Sequence, residues 1–482
     1  MTLSKYLISV SLLPAIAVQA QIESPNPSQV FAEVDSSHSE ISVGWRAESN
    51  VADFVECGDG WRGWHALGST ALRLSADLVA WGGAMYEDGC RLNVLWSESS
   101  DYEEVGPMAV ADTVGGDKDS EKYAFLAGFA WRGRRAAVGL QIDYSSQSEY
   151  RTQDPRPKAD AVCAKVKLGG DISFSESQSV GLYGVLRKYS QELDIDFKNI
   201  YAASMTLYQL TGLGSDYSRF SGDNDEASYK GRLAGGGITY VGTISALVEF
   251  SRRHAEKILP DLQNAVTNET YDNAMHFQVS RFGALGHWNT DLALKSNVSR
   301  LKLNTFIYDD GAMNYRQIST RCPYSRNLYS LGISAKASNP VAHGLVLFAD
   351  ISYNSAEEEN TDVRRDLTVS DISIRLSADA SNSLRRSSIA YGLSLLRRQN
   401  ILHEANFGVR RNTESRLALV ALNQDFELRS ASLSGFDVHT RLDIRLSRWA
   451  DTVFVGAQGG AAWRSGSLPS VWTVSVSAGV TL

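Results

Sequence analysis

Apolar and polar residues alternate along segment after segment of this 482-residue chain. The last twelve residues, VWTVSVSAGVTL, are apolar at every second position from Trp472 to Leu482. Successive side chains of a strand point to opposite faces, so a period of two predicts strands and not helices. The same period recurs in residues 136–145, 161–169, 243–251, 344–353, 371–378, 388–396, 435–447 and 451–463. The sequence therefore predicts an all-β antiparallel fold.

The first twenty residues have the composition of a secretory signal peptide. Lys5 precedes an apolar run that ends near Val18, and small residues follow up to Ala20. We expect residues 1–20 to be removed by cleavage before Gln21. No later segment approaches the ~18 apolar residues of a membrane helix. If the mature protein lies in a membrane, it must be a closed barrel, because lipid offers no partners for backbone groups.

The connections between the predicted strands alternate in length. Short links fall at 132–134, 174–178, 241–242, 282–285, 338–341, 381–384 and 448–450, and long polar loops at 97–120, 150–158, 190–228, 256–268, 301–325, 355–364 and 398–428. Short periplasmic turns opposite long extracellular loops are typical of outer-membrane barrels. We predict a transmembrane antiparallel up-and-down β-barrel of about 16 strands, within a range of about 14–18. Its first strand is expected near 78–96 and its last at 470–482.

Three domain-level segments follow from this pattern: the signal peptide 1–20, an N-terminal periplasmic or lumen-inserted segment 21–60, and the barrel 61–482. Residues 61–75 are interpreted either as an additional strand or as part of the inserted segment.

A secreted soluble β-protein also shows alternation, but three features favour the membrane barrel. The polar faces are rich in Gly, Ala and Ser as well as charge, and the chain ends inside its last strand. Aromatic residues occur near strand ends, as interfacial girdles require: Tyr123, Trp131, Tyr144, Tyr353, Trp449, Trp463 and Trp472. We therefore expect a location in the outer membrane of a Gram-negative cell.

Charge and composition limit the possible functions. The net charge of −8, without a basic run, argues against nucleic-acid binding. The four cysteines, Cys57, Cys90, Cys163 and Cys322, lack zinc-site spacing and are interpreted as thiols or as one or two disulfides. None of the eight histidines lies in a catalytic motif. We expect no enzymatic activity, no metal and no cofactor.

Several segments resemble a known family. WGGAMYEDG (81–89), DYEEVGPMAVADTVGGDKDSEKYAFLAGFA (101–130), EYRTQDPRPKA (149–159) and YQLTGLGSDYSRFSGDNDEASYKG (208–231) are similar to the hallmark segments of domain-of-unknown-function family 6850. The resemblance runs from about Trp61 to the C-terminus. It implies an uncharacterised outer-membrane barrel of the Bacteroidota type, and it supplies no catalytic residue.

Charged residues on predicted inward faces are candidates for a polar lumen. The clearest row is that of the strand at 435–447, where neighbours on one face are about 7 Å apart and form either a solute pathway or a salt-bridged interior. The lumen candidates are Asp143, Lys165, Lys167, Glu249, Asp350, Asp437, His439, Arg441, Asp443 and Arg445.

Two loop motifs were weighed for further roles. DTVGGD (112–117) is predicted to be a tight turn, because no helix or Walker lysine follows it. The loop TGLGSDYSRFSG (211–222) either folds inward and constricts the lumen or forms a self-packed Ω-loop. Its candidate constriction residues are Asp216, Tyr217, Arg219 and Phe220.

The predicted function is a porin-like channel or transporter for an unidentified solute, through a polar, loop-constricted lumen. The alternatives are a non-transporting barrel that docks or assembles surface proteins, and a secreted β-protein. The predicted partners are outer-membrane lipid and the barrel-insertion machinery, with a surface lipoprotein or a solute as a further one. Insertion signals often end in an aromatic residue, whereas this chain ends in Leu482.

Overall fold

The computed structural model describes residues 24–34, 36–175, 177–198, 207–216, 225–260, 263–309, 317–341, 344–384, 386–408, 416–446 and 452–482. The wall strands are β1 (His38–Ser49), β2 (Gly60–Ser75), β3 (Leu78–Val94), β5 (Gly116–Arg132), β6 (Ala136–Tyr150), β7 (Arg156–Ser175), β8 (Gln178–Asp196), β10 (Glu226–Val241), β11 (Ile244–Leu259), β12 (Ala265–Leu285), β13 (Trp288–Tyr308), β14 (Gln317–Asn339), β15 (Leu345–Asn360), β16 (Arg365–Ser383), β17 (Ser387–Phe407), β18 (Leu433–Arg445), β19 (Thr452–Arg464) and β20 (Val471–Thr481).

These eighteen strands form a closed antiparallel barrel. Each pairs with its neighbours along the chain, and β1 pairs with both β2 and β20, which closes the sheet. Two short strands, β4 (Val110–Ala111) and β9 (Tyr208–Gln209), form a separate ribbon. The described helices are Tyr102–Val105 and Arg416–Ser430, with 3-10 turns at Pro27–Ala32, Val55–Cys57 and Gly106–Met108. Among the described residues, no helix is long and apolar enough to cross a membrane.

The all-β barrel prediction is confirmed, but the central estimate of sixteen strands is two short. Sixteen strands do run from β3 to β20, with the first at Leu78–Val94 as expected. The two missing strands come before them. Residues 61–75 form β2, and β1 alternates outward Ile41, Val43 and Trp45 with inward residues. The boundary at residue 61 was therefore wrong: residues 24–34 lie inside the barrel, whereas 38–49 belong to its wall.

The outer surface carries the apolar face of the alternation. In β20, Trp472, Val474 and Val476 are 42–48% exposed, whereas Thr473 between them is buried. Side chains in a soluble core would not be exposed in this way, and the band they form is that of a membrane barrel.

The aromatic residues of β5 give the height of this band. Tyr123 and Trp131 both face outward, and eight residues span about 27 Å along a strand. This length, on a tilted strand, suits the ~25 Å apolar belt of outer-membrane barrels. The other girdle candidates Tyr144, Tyr353, Trp463 and Trp472 are also exposed, and Trp449 lies outside the described residues.

Many strands continue well beyond the lipid on the extracellular side. β14 has 23 residues, and β13 and β14 occupy most of the expected loop 301–325. Here the outward face is polar, and the inward face packs on loops folded into the lumen, so the clean alternation disappears. The sequence pattern therefore overestimated the lengths of the loops. The longest connections between the described wall strands are residues 95–115, 197–225 and 408–432.

Candidate functional site

A loop between β3 and β5 enters the extracellular half of the lumen. We call residues 95–115 the first inner loop. It contains the helix Tyr102–Val105, the 3-10 turn Gly106–Met108 and β4. Val105, Met108 and Ala109 are at most 1% exposed and pack on wall residues in the largest apolar core of the barrel. The first inner loop thus folds into the lumen and is not an exposed surface loop.

A second loop crosses the lumen from the other side. Residues 207–216, the second inner loop, pair with the first through β4 and β9. On the opposite wall, Asn360 Nδ2 donates to the carbonyl of Gly212 at 2.9 Å, and Arg365 Nη1 donates to that of Leu213 at 2.8 Å. Together the two loops span the lumen between the wall strands β5–β10 and the wall strands β14–β16, and they close it.

Buried ion pairs attach the first inner loop to β5 and to Arg151, the residue that follows β6. Glu98 lies 3.0 Å from Lys118 Nζ and 3.5 Å from Arg151 Nη1, and Arg151 also pairs with Asp112. All four side chains are at most 2% exposed. Removal of one partner from such a buried set leaves an uncompensated charge, which costs about 3–5 kcal/mol.

Asp112 has a second role in the same loop. Its Oδ1 accepts hydrogen bonds from the backbone amides of Val114 and Gly115, both at 2.8 Å, and Gly115 has φ +62°. This geometry is a side-chain-capped turn. The turn interpretation of DTVGGD therefore agrees with the structure.

Two arginines hold the helix Tyr102–Val105 from below. Arg187 of β8 and Arg253 of β11 both donate to Oε2 of Glu104, the second at 3.4 Å. Arg253 also donates to the carbonyl of Glu103 at 3.2 Å. Burial opposes ionisation of Glu104, but Arg253 and Arg187 outweigh it and lower the pKa of this carboxyl.

Other carboxyls of the first inner loop have raised pKa values. Burial raises the pKa of Glu98 to about 7, against the opposing effect of Lys118. Burial and the nearby Glu104 raise the pKa of Asp101 to about 6. Both groups therefore change charge near neutral pH, in a loop that blocks the lumen.

An outer cap, formed by residues 50–59 and the helix Arg416–Ser430, lies on the extracellular side of the inner loops. Asp53 pairs with Arg398 at 2.6 Å and Arg464 at 3.3 Å. Within the helix, Arg429 pairs with Glu358 of the wall at 2.7 Å. A cavity of about 60 Å³ separates the cap from the inner loops. It has room for a few water molecules.

Two carboxyls face each other inside the cap. Asp425 Oδ1 accepts a hydrogen bond from the Val55 amide at 2.8 Å, and Tyr102 donates to Glu56 at 3.3 Å. Burial, the largest cause, raises the pKa of both Glu56 and Asp425, and their mutual contact favours one shared proton.

The N-terminal segment, residues 24–34, covers the periplasmic end of the lumen beside β5–β8. Gln29 donates to Asp171 at 3.2 Å and to Thr239 at 2.8 Å. Gly139 and Gly169 make room for it, because a Cβ there would lie 2.3 Å from Pro27 and 1.9 Å from Asn26. The side chain of Phe31 lies between the guanidinium groups of Arg73 and Arg132, 4.6 and 4.1 Å from its ring centroid.

Between the N-terminal segment and the first inner loop lies a lumen chamber of about 270 Å³. Among the described residues, its charged lining consists of Lys122, Lys165 and Arg187 against a single carboxylate, Asp143. Lys165 and Asp143 pair at 2.7 Å. The chamber also contains Cys163, which is one of four free thiols.

The structure places the ten lumen candidates at inward positions of their strands. Glu249 accepts from Tyr183 at 2.5 Å, Asp437 accepts from Gln458 at 3.4 Å, and His439 lies 3.4 Å from Asp379. Arg441 pairs at 2.9 Å with both Glu40 and Asp443. Lys167 and Asp350 are half-buried inward residues, as are Lys165 and Asp143. Arg445 has the inward register of Asp443 and lies exposed at the end of β18.

The constriction candidates are only partly described. Asp216 ends the second inner loop, and its Oδ1 accepts from the Gln209 amide at 2.8 Å. Tyr217, Arg219 and Phe220 lie outside the described residues. The larger obstruction is the first inner loop, which sequence reasoning did not assign to the lumen. The sequence feature that could have identified this loop as buried is the apolar run Pro107–Ala111 inside an otherwise acidic segment.

The four cysteines carry free thiols, so the disulfide alternative was wrong. Among the described residues, no group of three or more His, Cys, Asp or Glu side chains is placed to hold a metal ion.

Solved barrels share the general architecture at low similarity. The ferric preacinetobactin receptor BauA of Acinetobacter baumannii is 10% identical, with 92% of this chain and 80% of that chain covered and a TM-score of 0.39. A mutant of the ferric enterobactin receptor PfeA of Pseudomonas aeruginosa is 8% identical, with 93% and 81% covered and a TM-score of 0.42. A FadL homologue of Pseudomonas aeruginosa is 10% identical, with 94% and 92% covered and a TM-score of 0.35.

No curated protein matches the sequence. A model of the family described as "Family of unknown function (DUF6850)" matches residues 27–482, which include every strand of the barrel wall. The chain therefore belongs to this family of unknown function, as the segments at 81–89, 101–130, 149–159 and 208–231 indicated.

Proposed function

We propose that the protein is a gated outer-membrane transporter for a polar solute, closed in this structure by its inner loops. One observation carries the proposal: the lumen is blocked by loops held through buried ion pairs, while the wall below them is lined by small and charged side chains. A barrel with a purely structural interior does not need a charge-lined chamber beneath its obstruction.

The packing of the inner loops argues against a permanently open pore. Met108 and Leu210 belong to the apolar core of the extracellular half, so passage requires release of a loop and not a simple widening. Ionic attachment suits such release, because water solvates the separated charges when the loop leaves.

The test is conductance of the purified barrel in planar bilayers. Arg365→Met removes the donor to the Leu213 carbonyl and is expected to raise the opening frequency above that of a largely closed wild type. Arg364→Met is the matched control, because Arg364 is the adjacent residue and is exposed. A folded Arg365→Met barrel that stays closed under all voltages would contradict the transport proposal.

A second candidate function is docking of a surface partner. The outward faces of β5 and β8 beyond the girdle are acidic, with exposed Asp117, Asp119 and Glu121 on one strand and Glu192 and Asp194 on the other. Cross-linking in intact cells tests this candidate. A closed conductance trace together with a cross-linked surface partner would favour docking over transport.

A further inference from the structure

The lumen chamber has an excess of positive charge that the first inner loop compensates. The part of the lining that the structure describes has three cationic side chains, Lys122, Lys165 and Arg187, and one carboxylate, Asp143. The helix Tyr102–Val105 brings Glu104 to Arg187 from above. The loop therefore places its own carboxylate at the upper edge of a cationic chamber.

The contact with Glu104 gives Arg187 a single carboxylate oxygen, whereas Arg253 also donates to the Glu103 carbonyl and pairs with Asp272 at 3.6 Å. Arg187 and Arg253 both donate to the same oxygen, Oε2. A guanidinium group is best matched by two acceptor oxygens in a fork arrangement. A tetrahedral oxyanion has enough oxygens to give each arginine separate acceptors, which one shared carboxylate oxygen does not.

From this geometry we infer that the lumen chamber binds a tetrahedral oxyanion, as a free phosphate or as a phosphate ester, which displaces Glu104 from Arg187 and Arg253. Displacement removes a charged attachment of the first inner loop, so the ligand itself favours opening. The inference rests on the proposed transport function and names the class of solute.

Equilibrium binding to the full-length, detergent-purified protein at constant ionic strength tests the inference. The probes are inorganic phosphate and glucose 6-phosphate, which distinguish a free anion from an ester, with glucose as the uncharged control. Wild type is expected to bind one or both phosphates and not glucose. Absence of phosphate binding to wild type and to Glu104→Gln would overturn the inference.

Two variants distinguish a role of Glu104 and Arg187 in ligand binding from a purely structural role. Glu104→Gln removes the competing charge and is expected to tighten phosphate binding about tenfold or more, the effect of one charge-assisted hydrogen bond. Arg187→Ala is expected to weaken it by a similar factor. Lys188→Ala is the matched control, because Lys188 is the next residue of β8 and is exposed on the outward face.

The slower migration of boiled protein on a denaturing gel verifies that each variant is folded. If Glu104→Gln does not fold, Arg187→Lys replaces it: loss of the fork geometry with retention of charge is expected to weaken phosphate binding. A folded Glu104→Gln or Arg187→Lys protein with wild-type affinity would contradict the inference. Phosphate binding without transport in proteoliposomes would refute the proposed function only, and conductance without phosphate binding would refute the inference only.

Discussion

Replacement of Arg151 is expected to release the first inner loop. Arg151 is 4% exposed and lies between Glu98 and Asp112, both of which belong to the loop. Arg151→Ala leaves these two carboxylates in the docked state with one partner fewer, whereas in the released state water solvates them. The variant therefore destabilises the docked loop relative to the released loop.

The structure sets the magnitude of this effect. Loss of one partner from a buried ion pair costs about 3–5 kcal/mol. Glu98 keeps Lys118 at 3.0 Å, and Asp112 keeps its two backbone donors, so the lower end applies. A loss of about 3 kcal/mol increases the ratio of released to docked loop about a hundredfold.

A native cysteine reports this release. Cys163 lines the lumen chamber beneath the first inner loop. In a background with Cys57→Ser, Cys90→Ser and Cys322→Ser, a maleimide on a polymer too large for porins is added to intact cells. Addition of Arg151→Ala is expected to accelerate labelling of Cys163 by about two orders of magnitude.

The control is Lys158→Ala, which removes a pair with Asp160 whose side chains are 61% and 52% exposed. Exposed pairs contribute only about 0–1 kcal/mol, so this variant should be labelled like wild type. A folded Arg151→Ala barrel in which Cys163 is labelled at the wild-type rate would refute the reasoning that ion pairs hold the loop.

Further predictions concern the cap, the pH dependence and the N-terminal segment. Asp53→Asn leaves Arg398 buried without its carboxylate partner. We therefore expect faster hydrogen exchange in the helix Arg416–Ser430 of the outer cap. Unchanged exchange would contradict the assignment of Asp53 as an attachment of the cap. The raised pKa values of Glu98, about 7, and Asp101, about 6, mean that the docked loop holds protons that the released loop gives up. Docking is then strongest below about pH 4 and weakens as the pH rises from about 4 to about 7. Opening frequency in bilayers should therefore increase from about pH 5 to about pH 7, and a flat profile over this range would contradict this assignment. Gly169→Val fills the space taken by the N-terminal segment, and protease added to the periplasm should then cleave that segment faster than in wild type.

The alternating pattern by itself determined the wall of this protein. In β20 and β6 it identified which side chains face out, and the short turns identified the periplasmic end, because strand periodicity is a local property of the chain. It also placed Asp143, Lys165 and Arg441 on inward faces. The pattern did not identify β1 as a wall strand, because its single short alternating run was assigned to the N-terminal segment.

Only the tertiary structure decided what fills the lumen. The attachments of the inner loops and the cap join residues far apart in sequence, as Arg151 and Asp112 are separated by 39 positions and Arg398 and Asp53 by 345. Periodicity gives the direction of a side chain but not its partner across a closed barrel. The partners become fixed when β1 pairs with β20, because closure brings all inward faces around one lumen.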